Sequence, residues 1–256
     1  TKDCRTITRG DIGGVKADMF DAGIKGSTIR RKMVALRAVL RWAEDEGIID
    51  EAPKLPPFPP ADNARFVPPA MQDIAKMIAA APDHLQRVIL LGFCFGMRIG
   101  SSELFRLTWA DVDLPRKTLR IPSSRKNRHE PWRELPIRDQ LIPIFMGWRM
   151  HDETIQPMPT TVVNFKGAPV GTIKTAWAHM LKEAGIARKI RPYDLRHAFA
   201  TEALAAGVDV GTASKMMGHT SPVMLLTHYQ HVLDKQKREA VERLPCVSCV
   251  SGLLCV

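Results

Sequence analysis

The chain has 256 residues, long enough for one large domain or two small ones with well-buried cores. It carries 37 lysines and arginines against 27 aspartates and glutamates, and its net charge of +10 is typical of proteins that bind a polyanion such as nucleic acid. Five scattered cysteines form no disulfide framework, and no apolar run suits a signal peptide or a membrane helix. These features predict a reduced, cytoplasmic protein without membrane contact.

A proline-dense stretch at 53–68 predicts a linker, because proline cannot continue a helix and stiffens an extended chain. Residues 1–52 before it are predicted to form a small helical unit, whose second helix begins at a Ser27 or Thr28 cap. The arginines of that helix suit either a solvated face or a face that contacts phosphates. The candidates for such contacts are Arg30, Arg31 and Arg37.

Residues 69–244 are predicted to be mostly helical with one small β-meander. Two helices, MQDIAKMIAAAP and HLQRVILLGFCFGM, begin this region, and ELFRLTW is predicted to start the next. TLRIP and RELPI are predicted to pair as strands around a charged turn, with TVVNF as a third strand. The last residues, 245–256, form an apolar tail that is exposed unless it docks onto another surface.

Residues 191–231 gather the side chains best suited to chemistry on a phosphate. This stretch contains both tyrosines of the chain, Tyr193 and Tyr229, together with Arg196 and His219. Arginine presents a planar fork of donors that matches two phosphate oxygens. Imidazole transfers protons near neutral pH, and a tyrosine hydroxyl can act as a covalent nucleophile. The combination suits catalysis on a phosphate group.

The same stretch resembles the second conserved box of the tyrosine recombinase, or phage integrase, family. The matching pieces are YDLRHAFAT, MMGHTSP and HYQHV, which place Arg196, His219 and Tyr229 on the family's second arginine, its histidine and its nucleophile. GMRIGSSELFRLTWADVDL resembles the first box and places Arg98 on the first catalytic arginine. Glu103 follows Arg98 by five residues, where the family usually has three.

The resemblance points to two further positions. The family's catalytic lysine lies in the turn of the meander, and Lys126 is the best match, because its competitor Arg125 cannot release a proton near neutral pH. Arg125 and Arg128 in the same turn are candidates for DNA contact. Tyr193 occupies the usual histidine position, where a phenol can donate a hydrogen bond but is a weak base. It is read as a donor to phosphate, as a substitution that weakens the site, or as a packing residue at a helix start.

For the fold, the resemblance implies a mainly α structure with a small antiparallel β-sheet. The catalytic domain of a tyrosine recombinase would occupy 69–244, preceded by a helical core-binding domain at 1–52. The latter resembles only the later part of such a domain, so we expect its first helices to be missing from this chain. The tail at 245–256 is expected to dock onto a neighbouring protomer.

For function, the resemblance implies a DNA recombinase that joins DNA to Tyr229 through a 3′-phosphotyrosine link. Because that link keeps the phosphodiester bond energy, no cofactor is expected, neither ATP nor metal. The expected partners are double-stranded DNA at attachment or crossover sites, further copies in a homotetramer, and accessory DNA-bending proteins, in a bacterial or phage-infected cell. Phage or mobile-element integration and excision is preferred. The alternatives are a Xer-type dimer resolvase, a type IB topoisomerase-like enzyme and a catalytically inactive DNA-binding module.

Overall fold

The computed structural model describes residues 3–59, 67–123, 131–219, 221–223 and 225–226. Its backbone contacts divide the chain into two compact units, Thr1–Phe66 and Val67–Val256. Each unit has its own hydrophobic core. Among the described residues, no helix combines the length and the apolar character that crossing a bilayer requires.

The described part of the first unit contains two α-helices, α1 (Arg9–Asp21) and α2 (Gly26–Asp45), after a short 3₁₀ turn at Cys4–Thr6. Thr8 caps α1 through a reciprocal pair of hydrogen bonds with Asp11. The Asp11 N–H donates to the Thr8 hydroxyl at 3.3 Å, and the Thr8 N–H donates to the Asp11 carboxylate at 2.8 Å. Helix α2 begins slightly earlier than the sequence predicts, after Lys25, whose side chain makes no capping bond.

Apolar side chains at helical spacing along α2 form the centre of this unit. They are Ile29, Met33, Leu40 and Ala43. The proline-rich segment that follows packs against the same core through Ala52, Leu55 and Phe58. The Lys16 ammonium donates to the Pro57 carbonyl at 2.7 Å and ties the segment to α1. Residues 52–58 therefore contribute to the burial of the first core.

Six α-helices lie in the described part of the second unit. They are α3 (Met71–Ala80), α4 (Asp83–Cys94), α5 (Ile142–Glu153), α6 (Lys174–Glu183), α7 (Asp194–Ala205) and α8 (Val210–Met217). Helix α4 is apolar around most of its circumference and packs against both α3 and α7. It is therefore the central helix of this unit, and the loop after it lies beside the first turn of α7.

The segment ELFRLTW, predicted to begin a helix, forms two 3₁₀ turns instead, at Leu104–Arg106 and Trp109–Asp111. Its backbone pairs with a distant segment: the Trp109 N–H donates to the Thr160 carbonyl at 3.0 Å, and the Val162 N–H donates to the Leu107 carbonyl at 2.9 Å. The helical prediction is wrong here because local apolar spacing does not register this long-range pairing.

Three short strands form an antiparallel sheet in the order β1 (Val112–Asp113), β2 (Thr118–Pro122) and β3 (Trp132–Pro136). Strands β2 and β3 are the predicted TLRIP and RELPI strands, and Ile121 lies opposite Arg133. Side chains alternate across the pair, so that Ile121 and Arg133 face the interior while Arg120 faces solvent. The mainly helical fold class with a small antiparallel sheet is confirmed.

The predicted third strand of the sheet is wrong. TVVNF contributes β4 (Asn164–Phe165) to a separate hairpin with β5 (Ala168–Pro169). The preceding residues instead meet the chain at an isolated bridge between Thr161 and Thr108. Strand β1 takes the third place because it follows the Trp109 turn directly and lies beside β2.

Candidate active site

Helix α8 ends directly before His219, the predicted catalytic histidine. Asp209 caps its first turn by accepting a hydrogen bond from the Thr212 N–H at 2.9 Å. Gly218 ends the helix in the left-handed conformation with φ 66°, and the His219 N–H donates back to the Ser214 carbonyl at 3.0 Å. The last carbonyls of the helix therefore need donors from elsewhere in the fold.

Arg196, the predicted second arginine, lies in the first turn of α7 and is completely buried. Its Nη1 donates to the Gly96 carbonyl at 2.6 Å, and its Nη2 donates to the Met217 carbonyl at 2.6 Å. Gly96 has φ 59°, and a Cβ there would lie 2.5 Å from the ring of Phe199 on α7. Because both the backbone conformation and this close approach exclude a side chain, the position requires glycine.

Arg98 and Glu103 form an ion pair in the loop that follows α4. The Glu103 carboxylate also accepts a hydrogen bond from the backbone N–H of Arg98 at 2.9 Å. A turn brings the two residues together, since the Leu104 N–H donates to the Arg98 carbonyl at 3.2 Å. The five-residue spacing therefore still allows the Glu103 carboxylate to contact the Arg98 guanidinium. Glu103 is fully buried, whereas 23% of the Arg98 side chain is exposed.

Arg133 belongs to the same site, and sequence analysis missed it. From the inward face of β3, its Nη2 donates to Glu103 at 3.0 Å and its Nε donates to the Met216 carbonyl at 2.7 Å. The signal was present in the strand pattern, because alternation along RELPI places Arg133 on the same side as Leu135. An arginine on a buried strand face needs an acidic partner, which here is Glu103.

Arg98, Arg133, Arg196 and Glu103 together form what we call the Glu103 cluster, in which three arginines surround one carboxylate. Burial alone would raise the pKa of Glu103, but Arg133, the backbone N–H of Arg98 and Arg196 outweigh burial and hold that pKa below its usual value. Glu103 is therefore ionised at neutral pH. With three guanidinium cations and one carboxylate, the cluster has a net charge of +2.

The surplus positive charge affects two titrating groups at the site. Burial, reinforced by the charge of Arg98, lowers the pKa of Arg196 to about 10, so the guanidinium remains a cation at neutral pH. Burial, reinforced by Arg196, Arg98 and Arg133, lowers the pKa of His219 to about 4. His219 is therefore a neutral imidazole at pH 7, with one ring nitrogen that donates and one that accepts.

Three buried nitrogens at the site have no hydrogen-bond partner within the described part of the chain. They are Arg133 Nη1, Arg196 Nε and His219 Nδ1. Buried polar groups are normally hydrogen-bonded, so each such atom needs an explanation. Two of the three belong to cations, and an anion with several acceptor oxygens would satisfy them. The arrangement is therefore suited to binding a phosphate group.

Tyr193 precedes α7 by one residue, with 41% of its surface exposed. Its ring packs edge-on against that of His197, with 5.2 Å between the ring centroids. Because the ring both packs against His197 and remains partly exposed, its geometry is compatible with a packing role and with a role as a hydrogen-bond donor. A phenol in this position is accessible to a ligand and close in sequence to Arg196.

Four predicted positions, Lys126, Arg125, Arg128 and Tyr229, lie outside the described residues, and the roles assigned to them stay predictions. The strands that flank the meander turn remain paired as far as Pro122 and Trp132, and the Ser123 N–H donates to the Pro131 carbonyl at 2.8 Å. The described part of the chain does not bring three or more histidine, cysteine or carboxylate side chains together as a metal site would.

The three basic candidates on α2, Arg30, Arg31 and Arg37, are all exposed. Arg30 and Arg37 are two helical turns apart on one face, and their guanidinium groups lie 5.5 and 5.3 Å from the centroid of the Phe58 ring. A guanidinium held by its face against an aromatic ring keeps its N–H edge available for phosphate oxygens. Phe58 therefore orders two of the three candidates.

The sequence profile of the phage integrase family matches residues 69–236. Similar curated proteins include the tyrosine recombinase XerA of Pyrococcus furiosus, which is 28% identical over 231 residues covering 86% of this chain and 76% of that protein. The tyrosine recombinase of Thermosipho africanus is 25% identical over 252 residues, covering 94% of this chain and 81% of that protein.

Solved structures with a similar fold include the Tn1549 transposon integrase in complex with a circular intermediate DNA. The match has a TM-score of 0.75 at 20% identity and covers 94% of this chain and 86% of that one. A lambda integrase dimer bound to a COC′ core site matches with a TM-score of 0.65 at 18% identity, covering 88% of this chain and 80% of that one. At these identities the likeness concerns the fold.

Proposed function

Since the chain belongs to the phage integrase family, we propose that this tyrosine recombinase cuts and rejoins DNA at specific sites, with Tyr229 as its nucleophile. The observation that carries the proposal is the Glu103 cluster, where a net charge of +2 adjoins three buried nitrogens without partners among the described residues. Negative charge on a phosphate increases as a nucleophile attacks it. A pre-arranged cationic pocket therefore stabilises the transition state more than the bound substrate.

In the proposed reaction, the hydroxyl oxygen of Tyr229 bonds to a phosphorus atom of the DNA backbone while the bond from phosphorus to the 5′ oxygen breaks. The phenol loses its proton to a base, and the 5′ oxygen takes up a proton to become a free hydroxyl. The product is a 3′-phosphotyrosine link. Attack by the 5′-hydroxyl of another strand reverses the step and joins the strands, so neither ATP nor a metal ion is required.

Arg98 and Arg196 would hold the non-bridging phosphate oxygens. Arg98 is the more accessible of the two, with 23% of its side chain exposed. Arg196 offers its Nε, which has no partner among the residues that the structure describes. Lys126 would protonate the leaving 5′ oxygen. His219 would donate a hydrogen bond in its neutral form and accept a proton when the bound phosphate raises its pKa from about 4. Tyr193 would add a hydrogen bond to a phosphate oxygen.

The proposed partner is double-stranded DNA, held by a homotetramer on two sites, with accessory DNA-bending proteins as further partners. Support comes from the net charge of +10 and from the exposed arginines on α2. The Tn1549 integrase and the lambda integrase dimer, whose fold is similar, are both described as complexes with DNA. Phosphate contacts by Arg30, Arg31 and Arg37 would position the duplex without specifying its sequence.

Integration or excision of a phage or mobile element is the biological role that we propose. The similar fold of the Tn1549 transposon integrase supports it. The second candidate is resolution of chromosome dimers, which the similarity to XerA favours. Recombination assays separate the two roles, because a resolvase joins two identical sites, whereas an integrase joins two unlike sites.

The first test is covalent trapping on a nicked suicide substrate, using duplexes selected for binding from a random pool. The reaction contains EDTA and no ATP and compares wild type with Tyr229→Phe. We expect a denaturant-resistant protein–DNA adduct with wild type and none with the variant. Because Tyr229→Phe removes only the hydroxyl, both proteins should shift the same DNA equally in a gel.

An alternative outcome would favour a catalytically inactive DNA-binding module. Wild type would then bind the selected DNA in the gel-shift assay and form no adduct. Under that result, Tyr193→His tests whether the phenol in the usual histidine position is the cause. If the Tyr193→His variant forms an adduct, the native tyrosine at position 193 is the cause of the lost activity. If this variant forms no adduct either, the proposal that the protein is an enzyme fails.

A further inference from the structure

Three arginines hold the end of α8, each through a different carbonyl. Arg133 Nε donates to Met216 at 2.7 Å, Arg196 Nη2 donates to Met217 at 2.6 Å, and Arg98 Nη2 donates to Gly218 at 3.3 Å. These consecutive carbonyls are among those that an α-helix leaves unsatisfied at its C-terminus. They also carry the partial negative charge of the helix dipole, which makes them suitable acceptors for cations.

The same three arginines also contact Glu103, on the other side of the cluster. Arg133 Nη2 donates to its carboxylate at 3.0 Å, Arg98 forms an ion pair with it, and Arg196 Nη1 lies 3.8 Å away. Arg133 differs from the other two because it belongs to the sheet. It therefore connects β3, the loop that carries Glu103 and the end of α8 through a single side chain.

We infer that Arg133 is a positioning residue that fixes the Gly218–His219 segment against the Glu103 cluster, so that His219 and Arg98 address the same phosphate. The inference rests on the proposed function, since the phosphate is the ligand that the cluster would hold. Arg133 itself is about nine-tenths buried and acts through the groups that it orients.

The fit between Arg133 and the backbone supports this role. A Cβ on Gly218 would lie 2.8 Å from Arg133 Nη1 and 3.2 Å from its Cζ, so the guanidinium packs directly against the residue before His219. Nη1 has no hydrogen-bond partner among the described residues. A purely structural arginine would be expected to use this donor. Here Nη1 lies beside the segment that leads into the site.

Lysine cannot replace Arg133 in this role. The guanidinium holds two acceptors on different elements, the Met216 carbonyl through Nε and the Glu103 carboxylate through Nη2. A lysine has a single ammonium at the end of a flexible stem and lacks this planar fork. It would keep the positive charge at the site and lose the connection between the two elements. The two contributions can therefore be separated by substitution.

The test compares Arg133→Lys and Arg133→Met with matched variants Arg120→Lys and Arg120→Met. Arg120 lies on β2 and faces solvent, with 45% of its side chain exposed. Three quantities are measured on the full chain: the single-turnover rate of adduct formation on the suicide substrate, the affinity for intact DNA by gel shift, and the pKa of His219 by NMR titration of its ring, assigned with His219→Gln.

For both Arg133 variants we expect adduct formation to slow by about 100-fold, because a misplacement of about 1 Å at the reacting groups costs a factor of that order. DNA affinity should fall much less than the adduct rate, with Arg133→Lys closer to wild type than Arg133→Met because it keeps the positive charge. The Arg120 variants should match wild type in all three measurements. The His219 pKa should rise in Arg133→Met, which loses a cation, and stay low in Arg133→Lys. A general loss of stability would slow adduct formation in both variants without raising the His219 pKa in one of them alone.

If Arg133→Lys forms the adduct at the wild-type rate, the inference is wrong. The result for Arg133→Lys is sufficient by itself if Arg133→Met does not fold. Should wild type itself form no adduct, the proposed function fails, and the NMR measurement still tests the positioning role. In that case, unchanged His219 ring shifts and pKa in both Arg133 variants would show that Arg133 does not position the segment.

Discussion

Two buried arginine clusters in the second unit differ in their charge balance. Arg87 is fully buried, and its two Nη groups donate to both carboxylate oxygens of Asp152 at 2.8 and 2.9 Å. Asp152 also accepts hydrogen bonds from Trp109 Nε1 at 3.0 Å and from Asn164 Nδ2 at 2.9 Å. These four residues form what we call the Asp152 cluster, in which one buried cation meets one buried anion. Arg87 also forms an ion pair with the exposed Asp83 at 3.0 Å.

The Glu103 cluster is equally buried at its centre, but three cations share one carboxylate there. The Asp152 cluster has no surplus positive charge, because carboxylates balance its single cation, although Arg87 Nε has no hydrogen-bond partner within the described part of the chain. A net charge of +2 in a buried cluster is costly, and a bound anion of the kind proposed above would offset that cost. Charge balance, rather than burial, is therefore the feature that separates the proposed anion site from the Asp152 cluster.

The largest effect is expected from breaking the balanced cluster. Asp152→Asn removes the only buried carboxylate that contacts Arg87 among the described residues and leaves the exposed Asp83 as its counter-charge, so we expect the free energy of unfolding to fall by about 3–5 kcal/mol. Urea denaturation measures this change. The matched control is Glu153→Gln, which removes an exposed carboxylate 3.2 Å from Arg149 and should change stability by less than about 0.5 kcal/mol. Equal losses in the two variants would contradict the structural role of the Asp152 cluster.

A smaller loss is expected from Glu103→Gln in the surplus cluster. The substitution leaves three cations without a carboxylate, but Arg98 is partly exposed and all three guanidinium groups keep their backbone acceptors, so we expect a loss of about 3 kcal/mol. Unlike Asp152→Asn, Glu103→Gln should regain stability when an anion occupies the pocket, because an anion that binds the native state stabilises that state.

Thermal unfolding in sulfate and in chloride at equal ionic strength measures that recovery. Sulfate should raise the melting temperature of Glu103→Gln more than that of wild type. Asp152→Asn should respond to sulfate as wild type does, which controls for the general stabilising effect of this salt. If all three proteins respond alike, the Glu103 cluster does not bind the anion.

The smallest effect is expected on the pH dependence of stability, through His219 beside the surplus positive charge of the Glu103 cluster. Its pKa lies at about 4 in the native protein and near 6.5 in the unfolded chain. As pH falls from about 6.5 to about 4, the unfolded chain gains a proton that the native protein does not, so the free energy of unfolding should decrease. The effect should be modest because the ring is only partly buried.

Urea denaturation between pH 4 and pH 8, compared between wild type and His219→Gln, isolates this contribution from the carboxylates. The difference in unfolding free energy between wild type and His219→Gln should change as the pH falls from about 6.5 to about 4. It should shrink in sulfate, since a bound anion raises the pKa of the imidazole. A difference that is independent of pH would mean that the surplus charge does not act on His219.

Much of the fold was predictable because its elements have strong local signals. The apolar stripe of α2, the apolar run of α4 and the alternation of β2 and β3 each follow from spacing alone. The predictions failed where the local structure depends on pairing with segments that are distant in the sequence. ELFRLTW did not continue as a helix because it pairs with residues near Thr160, and TVVNF did not join the sheet because β1 occupies that edge.

The candidate site was predictable where a motif carries it. Arg98, Arg196 and His219 lie together as the resemblance implied, although Arg196 is more buried than a phosphate-binding arginine would suggest from sequence. Arg133 belongs to no motif that we recognised, and only its inward position on β3 distinguishes it from a surface arginine. Its partner, the Met216 carbonyl, is a backbone group at a helix end, which the order of side chains along the chain does not reveal.

The two glycines beside the site set a limit on its evolution. Gly96 and Gly218 both have positive φ, and a methyl group on either would collide with Phe199 or Arg133. Their carbonyls accept from Arg196 and Arg98, so each arginine depends on a neighbour that offers no functional group of its own. Alanine at either position would therefore combine a strained left-handed backbone with a close contact, and the strain would fall on the arginine that uses that carbonyl.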